Sequence, residues 1–311
     1  MTFTVRSFTT PAGTPLRYGI ITPPGAQPAD TLPIFVYVPG LGGSIKKALD
    51  FLDALAQQTN HLVYSMDARG FGLNEGIRPT VTPAGYLNDF QRFMHHLNQT
   101  QPAFTNATPT LIGISLGGAL SVLAGVQHPH LFRGCVLLAP AFQPHPDCFS
   151  AGFKLANAFK LLTLGPMAKT TLPYNIYNLT QNEDKHQDPN FGDPFVMPTF
   201  YLFLVEALCQ KALRACARLH KPVLMIEPVL DQICAPQAMA DGFARCPHPN
   251  KQYERHDTAF HDLTIEPADI QQPILNQIND WLGTLEGSDT LLSPVDMLAA
   301  AHHVHRVHHP H

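Results

Sequence analysis

The chain has 311 residues, enough for one large domain or for a domain carrying an insertion. Hydrophobic residues make up 45% and charged residues 14%, which allows a sizeable core, and a formal net charge of −4 leaves no basic field to hold nucleic acid. No window of about 18 uninterrupted apolar residues occurs, and residues 1–7 lack a basic region leading into an apolar run, so neither a membrane span nor a secretory signal is expected.

Residues 2–8 alternate loosely, and residues 16–21 form a second short β-type run. A turn cluster at 22–30, with Pro23, Pro24 and Gly25, precedes the stretch 33–38. That stretch, Pro33-Ile34-Phe35-Val36-Tyr37-Val38, is continuously apolar and reads as a strand covered on both faces. Pro39, Gly40, Gly42 and Gly43 break it. Residues 45–57 then read as a helix, with Ser44 as its N-cap and Ala48, Leu49, Leu52, Leu55 and Ala56 as its apolar face. The unit recurs as a strand at 61–66, a loop at 67–76 and a helix at 83–97.

The next unit carries chemistry. Residues 110–112 read as a short buried strand, and Gly113-Ile114-Ser115-Leu116-Gly117 match G-x-S-x-G. Residues 119–126 are apolar and helix-compatible, so the run is strand, sharp turn, helix, the setting of a nucleophile elbow. A side chain at the tip of so tight a turn is held in a strained backbone conformation, and bare neighbours let strand and helix approach. The first amides of the following helix, Leu116 among them, then point at the space before the serine and can stabilise an oxyanion.

Residues 134–139 form the next strand, after which the alternation stops until residue 221. Residues 149–169 are apolar enough for one or two helices, and 199–219 form another helical run, with a polar, Pro-containing stretch at 181–194 between them. This predicts a helical cap at 141–220 inserted into a core made of 1–140 and 221–285, the competing reading being helices that simply cover the sheet. The alternation resumes with a strand at 222–226, a short helix at 236–243, a more exposed strand at 251–255 and a closing helix at 268–282. The predicted class is α/β, a mostly parallel central sheet flanked by helices. Six scattered cysteines form no C-x-x-C pair and read as reduced, mostly buried thiols of a cytoplasmic protein. The His-rich tail, 286–311, reads as a solvated segment that would take up transition metals only adventitiously.

A serine needs a base, normally a histidine oriented by a carboxylate, and behind a nucleophile elbow the partners follow in the order Ser, acid, His. Asp231 lies in the loop after the 222–226 strand. Glu227 is nearer the strand, where burial or an ion pair would occupy it, and Asp241 falls in the next helix. His261 lies in the loop between the last strand and the last helix, with His256 as its rival. His95, His96, His128 and His130 precede the acid and read as helix-surface residues. Leu116 would supply one oxyanion amide and Leu41, in the Gly-rich loop after 33–38, the second. Neither G-x-x-x-x-G-K-[S/T] nor G-x-G-x-x-G follows that strand, which argues against a phosphate loop.

With these residues in place, the chain resembles the α/β-hydrolase superfamily over residues 15–285, and within it the monoacylglycerol lipase/lysophospholipase-like group of serine aminopeptidase S33 type. Residues 38–43 match the family's oxyanion loop, 67–76 its D-x-R-G-x-G-x-S-x-G loop, 113–117 its elbow, 231–236 its acid loop and 261–266 its H-x-L-x-x-E. The departures are Pro39 where His is common, Asn74 for Ser, and Pro228 where Gly often precedes the acid loop.

The resemblance implies an α/β-hydrolase fold with a helical cap, a triad of Ser115, Asp231 and His261, and oxyanion donors at Leu41 and Leu116. Asp67 and Arg69 match a loop that is structural in the family. It implies hydrolysis of a small-molecule acyl ester such as a monoacylglycerol or lysophospholipid, with no metal or organic cofactor. The cap would be the place of any transient membrane-surface contact. Three other readings stay open. One is an aminopeptidase gripping an amino terminus through Glu183, Asp184 and Asp188. The others are a thioesterase with the same triad and a catalytically idle binding protein.

Overall fold

The computed structural model describes residues 2–27, 32–77, 82–188 and 196–286. The His-rich tail beyond 286 and the end of the polar stretch 181–194 lie outside them. In chain order the elements are β1 (Thr2–Thr9), β2 (Pro15–Thr22), β3 (Ile34–Val38), α1 (Leu49–Thr59), β4 (Leu62–Met66), α2 (Pro83–Thr100), α3 (Ala103–Asn106), β5 (Thr110–Ile114), α4 (Leu116–Gln127) and β6 (Cys135–Leu138). The interval that breaks the alternation holds α5 (Ala151–Leu164), β7 (Lys169–Thr171), α6 (Ile176–Leu179), α7 (Glu183–His186), β8 (Val196–Pro198) and α8 (Thr199–Ala215). The chain then closes with β9 (Val223–Pro228), α9 (Pro236–Arg245), β10 (Lys251–His256) and α10 (Ala268–Glu286).

Among the described residues eight strands form one sheet, in the order β1-β2-β4-β3-β5-β6-β9-β10. β1, β2 and β4 pair antiparallel, and every pairing from β4 to β10 is parallel. The period of two explains why the 33–38 run is apolar throughout. Ile34, Val36 and Val38 pack on one face with Phe90 and Phe93 of α2 and with α4 and α8. Phe35 and Tyr37 pack on the other face with Phe51 and Leu55 of α1 and Trp281 of α10. From β3 the chain steps outward to β4, then returns to the opposite side of β3 for β5. The loops leaving β3 and β5 therefore part company at the carboxyl edge of the sheet and leave a crevice, the usual ligand position in such a sheet.

Three local details differ from expectation. The helix expected from Ile45 starts at Leu49, and its cap position, Ala48, makes no side-chain cap bond. The buried Asp67 carboxylate takes the Ile45 N–H at 2.8 Å, and Ser44 Oγ accepts only from Lys47 N–H at 3.3 Å, so residues 45–48 form a turn. In the 141–220 interval β7 and β8 pair antiparallel, each a three-residue strand too short to leave a pattern in the sequence. The two long helices there also behave differently. α8 sends Leu208, Cys209, Ala212 and Ala215 into the main core beneath the sheet's flanking helices. α5 leaves Leu155, Phe159 and Leu162 exposed along one face.

Candidate active site

β5 ends at Ile114, and Ser115 follows with φ 54° and ψ −122°, a left-handed φ unusual for a residue with a side chain. The backbone holds it there. Its N–H donates to Leu138 O at 2.9 Å, and its carbonyl accepts from Gly118, Ala119 and Ala141. The flanking glycines are required by space. A Cβ on Gly113 would lie 2.4 Å from Gly117 O, and one on Gly117 would lie 2.0 Å from Val38 O, both backbone atoms that cannot swing away.

Three side chains named from the sequence lie in one hydrogen-bonded line. His261 Nε2 is 2.9 Å from Ser115 Oγ, and His261 Nδ1 is 2.7 Å from Asp231 Oδ2. Asp231 Oδ1 accepts from Ile233 N–H at 2.7 Å and Cys234 N–H at 2.9 Å, which fixes the plane of the carboxylate. Both Asp231 and His261 are buried. Burial pulls the pKa of His261 down, but the charge and hydrogen bond of Asp231, with the charge of Asp262, outweigh it and leave the imidazole above its ordinary value.

Leu116 is the first residue of α4, so its N–H has no intrahelical acceptor and sits at the positive end of the helix dipole. Leu41 lies beside Ser115 in the crevice wall. The loop backbone is close, since a Cβ on Gly40 would lie 3.2 Å from Ser115 Cβ.

Two cavities meet at Ser115. One is bounded by apolar side chains, among them Phe149, Leu172, Met197 and Leu202, with a Lys154–Glu206 ion pair between α5 and α8 in its wall. The other is the more polar of the two, with the Gly40, Gly42 and Gly43 backbone, Lys47, Asp262 and Thr264 around it beside Tyr37, Ile114 and Leu179. Burial lowers the pKa of Lys47, and the charges of Asp262 and Asp188 oppose that. Tyr174 stands between the two cavities and borders both.

Other residues weighed from the sequence sit elsewhere. His256 is on β10, with Nε2 2.7 Å from Gln277 Oε1. Glu227 is buried and bonded to Tyr253 and Arg255. Asp241 is exposed on α9 and takes a bond from Gln237. Glu183 and Asp184 are exposed and border neither cavity. Asp67 is fully buried, and desolvation pushes its carboxyl up to about 6 although the Leu73 and Ile45 amides oppose this. Arg69 makes a two-pronged pair with Asp89, at 2.6 and 2.9 Å. Asn74, one of the departures from the family pattern, is buried and ties this loop to β2, its side chain bonding both the N–H and the carbonyl of Arg17.

Sequence reasoning missed Cys234. All six thiols are free; this one and Cys209 border the apolar cavity, and burial, reinforced by the charge of Asp231, pushes Cys234 well above the usual thiol range. Its place three residues after Asp231 was the available signal. Among the described residues Asp231, Cys234 and His261 also form one group with metal-ligand spacing, their donor atoms within 4.8 Å of one another. His261 is already bonded to both Asp231 and Ser115, an arrangement able to relay a proton.

Residues 30–268 match the family described as "Serine aminopeptidase, S33". The chain belongs to this family. It is a serine hydrolase of the α/β-hydrolase fold. The chain is 25% identical to the monoglyceride lipase of Rattus norvegicus over 262 residues, 82% of this chain and 84% of the relative. It is 24% identical to that of Homo sapiens over 278 residues, 86% and 88% of the two chains. A soluble variant of the monoglyceride lipase from Saccharomyces cerevisiae, in complex with a substrate analog, superposes with a TM-score of 0.75 at 15% identity, over 92% of this chain and 97% of that one. The monoacylglycerol lipase of Paleococcus ferrophilus does so with 0.69 at 19% identity, over 92% and 100%.

Proposed function

We propose that this serine hydrolase cleaves carboxylic esters of lipid-like acyl chains, of the monoacylglycerol or lysophospholipid class, through an acyl-enzyme. The observation that carries the reading is the pair of cavities meeting at Ser115, one apolar and one more polar. An ester laid across the serine would put its acyl chain in the first and its alcohol in the second. The relatives' names, monoglyceride lipases, agree with that division.

In this mechanism Ser115 attacks the acyl carbonyl while His261 takes its proton, with Asp231 holding the imidazole in the useful tautomer. The amides of Leu41 and Leu116 receive the oxyanion. His261 returns the proton to the leaving alcohol, then activates a water that releases the acid.

Residues 141–220 serve as the lid, α5 as its outer part and α8 as its root in the core. Among the described residues no helix is long and apolar enough to cross a membrane. Leu155, Phe159 and Leu162, at i, i+4 and i+7 on α5, instead offer an exposed apolar face for transient contact with a lipid surface. The test is hydrolysis of p-nitrophenyl esters from acetate to palmitate, then of a monoacylglycerol and a lysophospholipid, by wild type and Ser115→Ala. Activity that peaks at medium or long chains and vanishes in the variant supports the reading. A peak at acetate removes the lipid substrate and leaves the mechanism.

A further inference from the structure

Five residues beyond His261 stands Glu266, a buried carboxylate that the triad does not use. Three donors converge on it. Phe260 N–H reaches Oε1, while Thr180 Oγ1–H at 2.7 Å and Gln181 N–H at 3.1 Å reach Oε2. Phe260 is the residue immediately before His261. Thr180 and Gln181 belong to the lid region, just after α6. The residue after His261 is tied to the same segment, because Asp262 N–H donates to Leu179 O at 2.8 Å. The histidine is thus bracketed. One neighbouring amide is fixed directly to segment 178–181, and the other is fixed to it through Glu266. The segment also reaches the acid loop, where Asn178 Nδ2 donates at 2.7 Å to Gln232 Oε1, next to Asp231.

We infer that Glu266 is a positioning residue for His261, and that segment 178–181 is a strap joining the loops of acid and base. The inference rests on the triad reading above. All three partners of Glu266 donate, so only a group that accepts at both oxygens satisfies them; an amide would aim its NH₂ at one of the donors, an unmade bond in a buried place. Leu179 borders the more polar cavity with His261, so an alcohol lodged there touches the strap that holds the base.

The test compares kcat and KM for a soluble ester in wild type, Glu266→Gln, Thr180→Val, the double variant and Ser115→Ala, with the rate at which a fluorophosphonate labels Ser115. Glu266→Gln should lower kcat by about 100-fold with KM within about twofold, the usual consequence of a misplacement near 1 Å. Thr180→Val should lower kcat by about tenfold in the same pattern, and the double variant should be no worse than Glu266→Gln, because both remove one link. Labelling should slow in parallel. An unchanged kcat in a folded Glu266→Gln or Thr180→Val, a loss confined to KM, or additive losses would each overturn the inference. If Glu266→Gln does not fold, Thr180→Val decides alone, since it leaves the carboxylate and both amide bonds in place. An active Ser115→Ala would overturn the triad and this inference together. An inactive one beside an undamaged Glu266→Gln would overturn this inference only.

Discussion

Asp231→Asn should leave the shape of the site intact and remove about four decades of turnover. The geometry dictates which way the new amide faces. Two backbone donors, Ile233 N–H at 2.7 Å and Cys234 N–H at 2.9 Å, already point at Oδ1, so the asparagine carbonyl must take that place. Its NH₂ then faces His261 Nδ1, 2.7 Å away. A donor there is met only by a bare Nδ1, which moves the ring proton to Nε2. At 2.9 Å from Ser115 Oγ, a protonated Nε2 can donate but cannot accept. The base is lost although no atom has moved far. In a comparable triad this tautomer error lowers kcat by about 10⁴-fold, or about 5.5 kcal/mol at about 1.36 kcal/mol per decade. The assay is kcat for a p-nitrophenyl ester by wild type, Asp231→Asn and Asp231→Ala, with a thermal melt of each. Asparagine should match wild type in folding and fall far below it in rate. A folded Asp231→Asn within about tenfold of wild-type kcat would refute the assignment of Asp231 as the orienting acid.

Ser115→Ala and His261→Ala should each lower kcat by about 10⁴–10⁶-fold and His256→Ala should change little, because the His256 ring is bonded to Gln277 of α10 and not to the serine; a damaging His256→Ala would show the base misassigned. His261 must be neutral to act, and its folded pKa is raised above the ordinary 6.5, so kcat/KM should climb with pH to a plateau with a midpoint above 6.5; a pH–rate profile with a lower midpoint contradicts this. Gly117→Ala forces a Cβ to within 2.0 Å of the Val38 carbonyl and should destabilise by about 3 kcal/mol, read by chemical denaturation; a loss below about 0.5 kcal/mol would mean that β3 and α4 are not wedged as described.

Much of this was legible because it is local. G-x-S-x-G between a strand and a helix marks the elbow, and the physical reason is a backbone clash at Gly113 and Gly117 that any side chain would meet. The order Ser, acid, His follows from strand order, since each loop at the carboxyl edge reaches the same crevice. The start of α1 was not legible, because what stops it at Leu49 is a carboxylate 22 residues away, Asp67 on the Ile45 amide. β7 and β8 are three residues each, below the length at which alternation can be seen. Cys234 reads as one thiol among six until the acid loop folds and turns it toward the serine.

By itself the sequence determined the α/β class, the family and the chemistry on offer, because the motifs and apolar runs that set them are short and contiguous. The tertiary structure alone decided how the groups are used. The two cavities on either side of Ser115, the ion pair between α5 and α8, and the strap that ties Glu266 to Thr180 across 86 residues all depend on residues distant in the chain. A contact of that kind is chosen by the packing of the whole domain, and a single sequence carries no periodicity from which to read it.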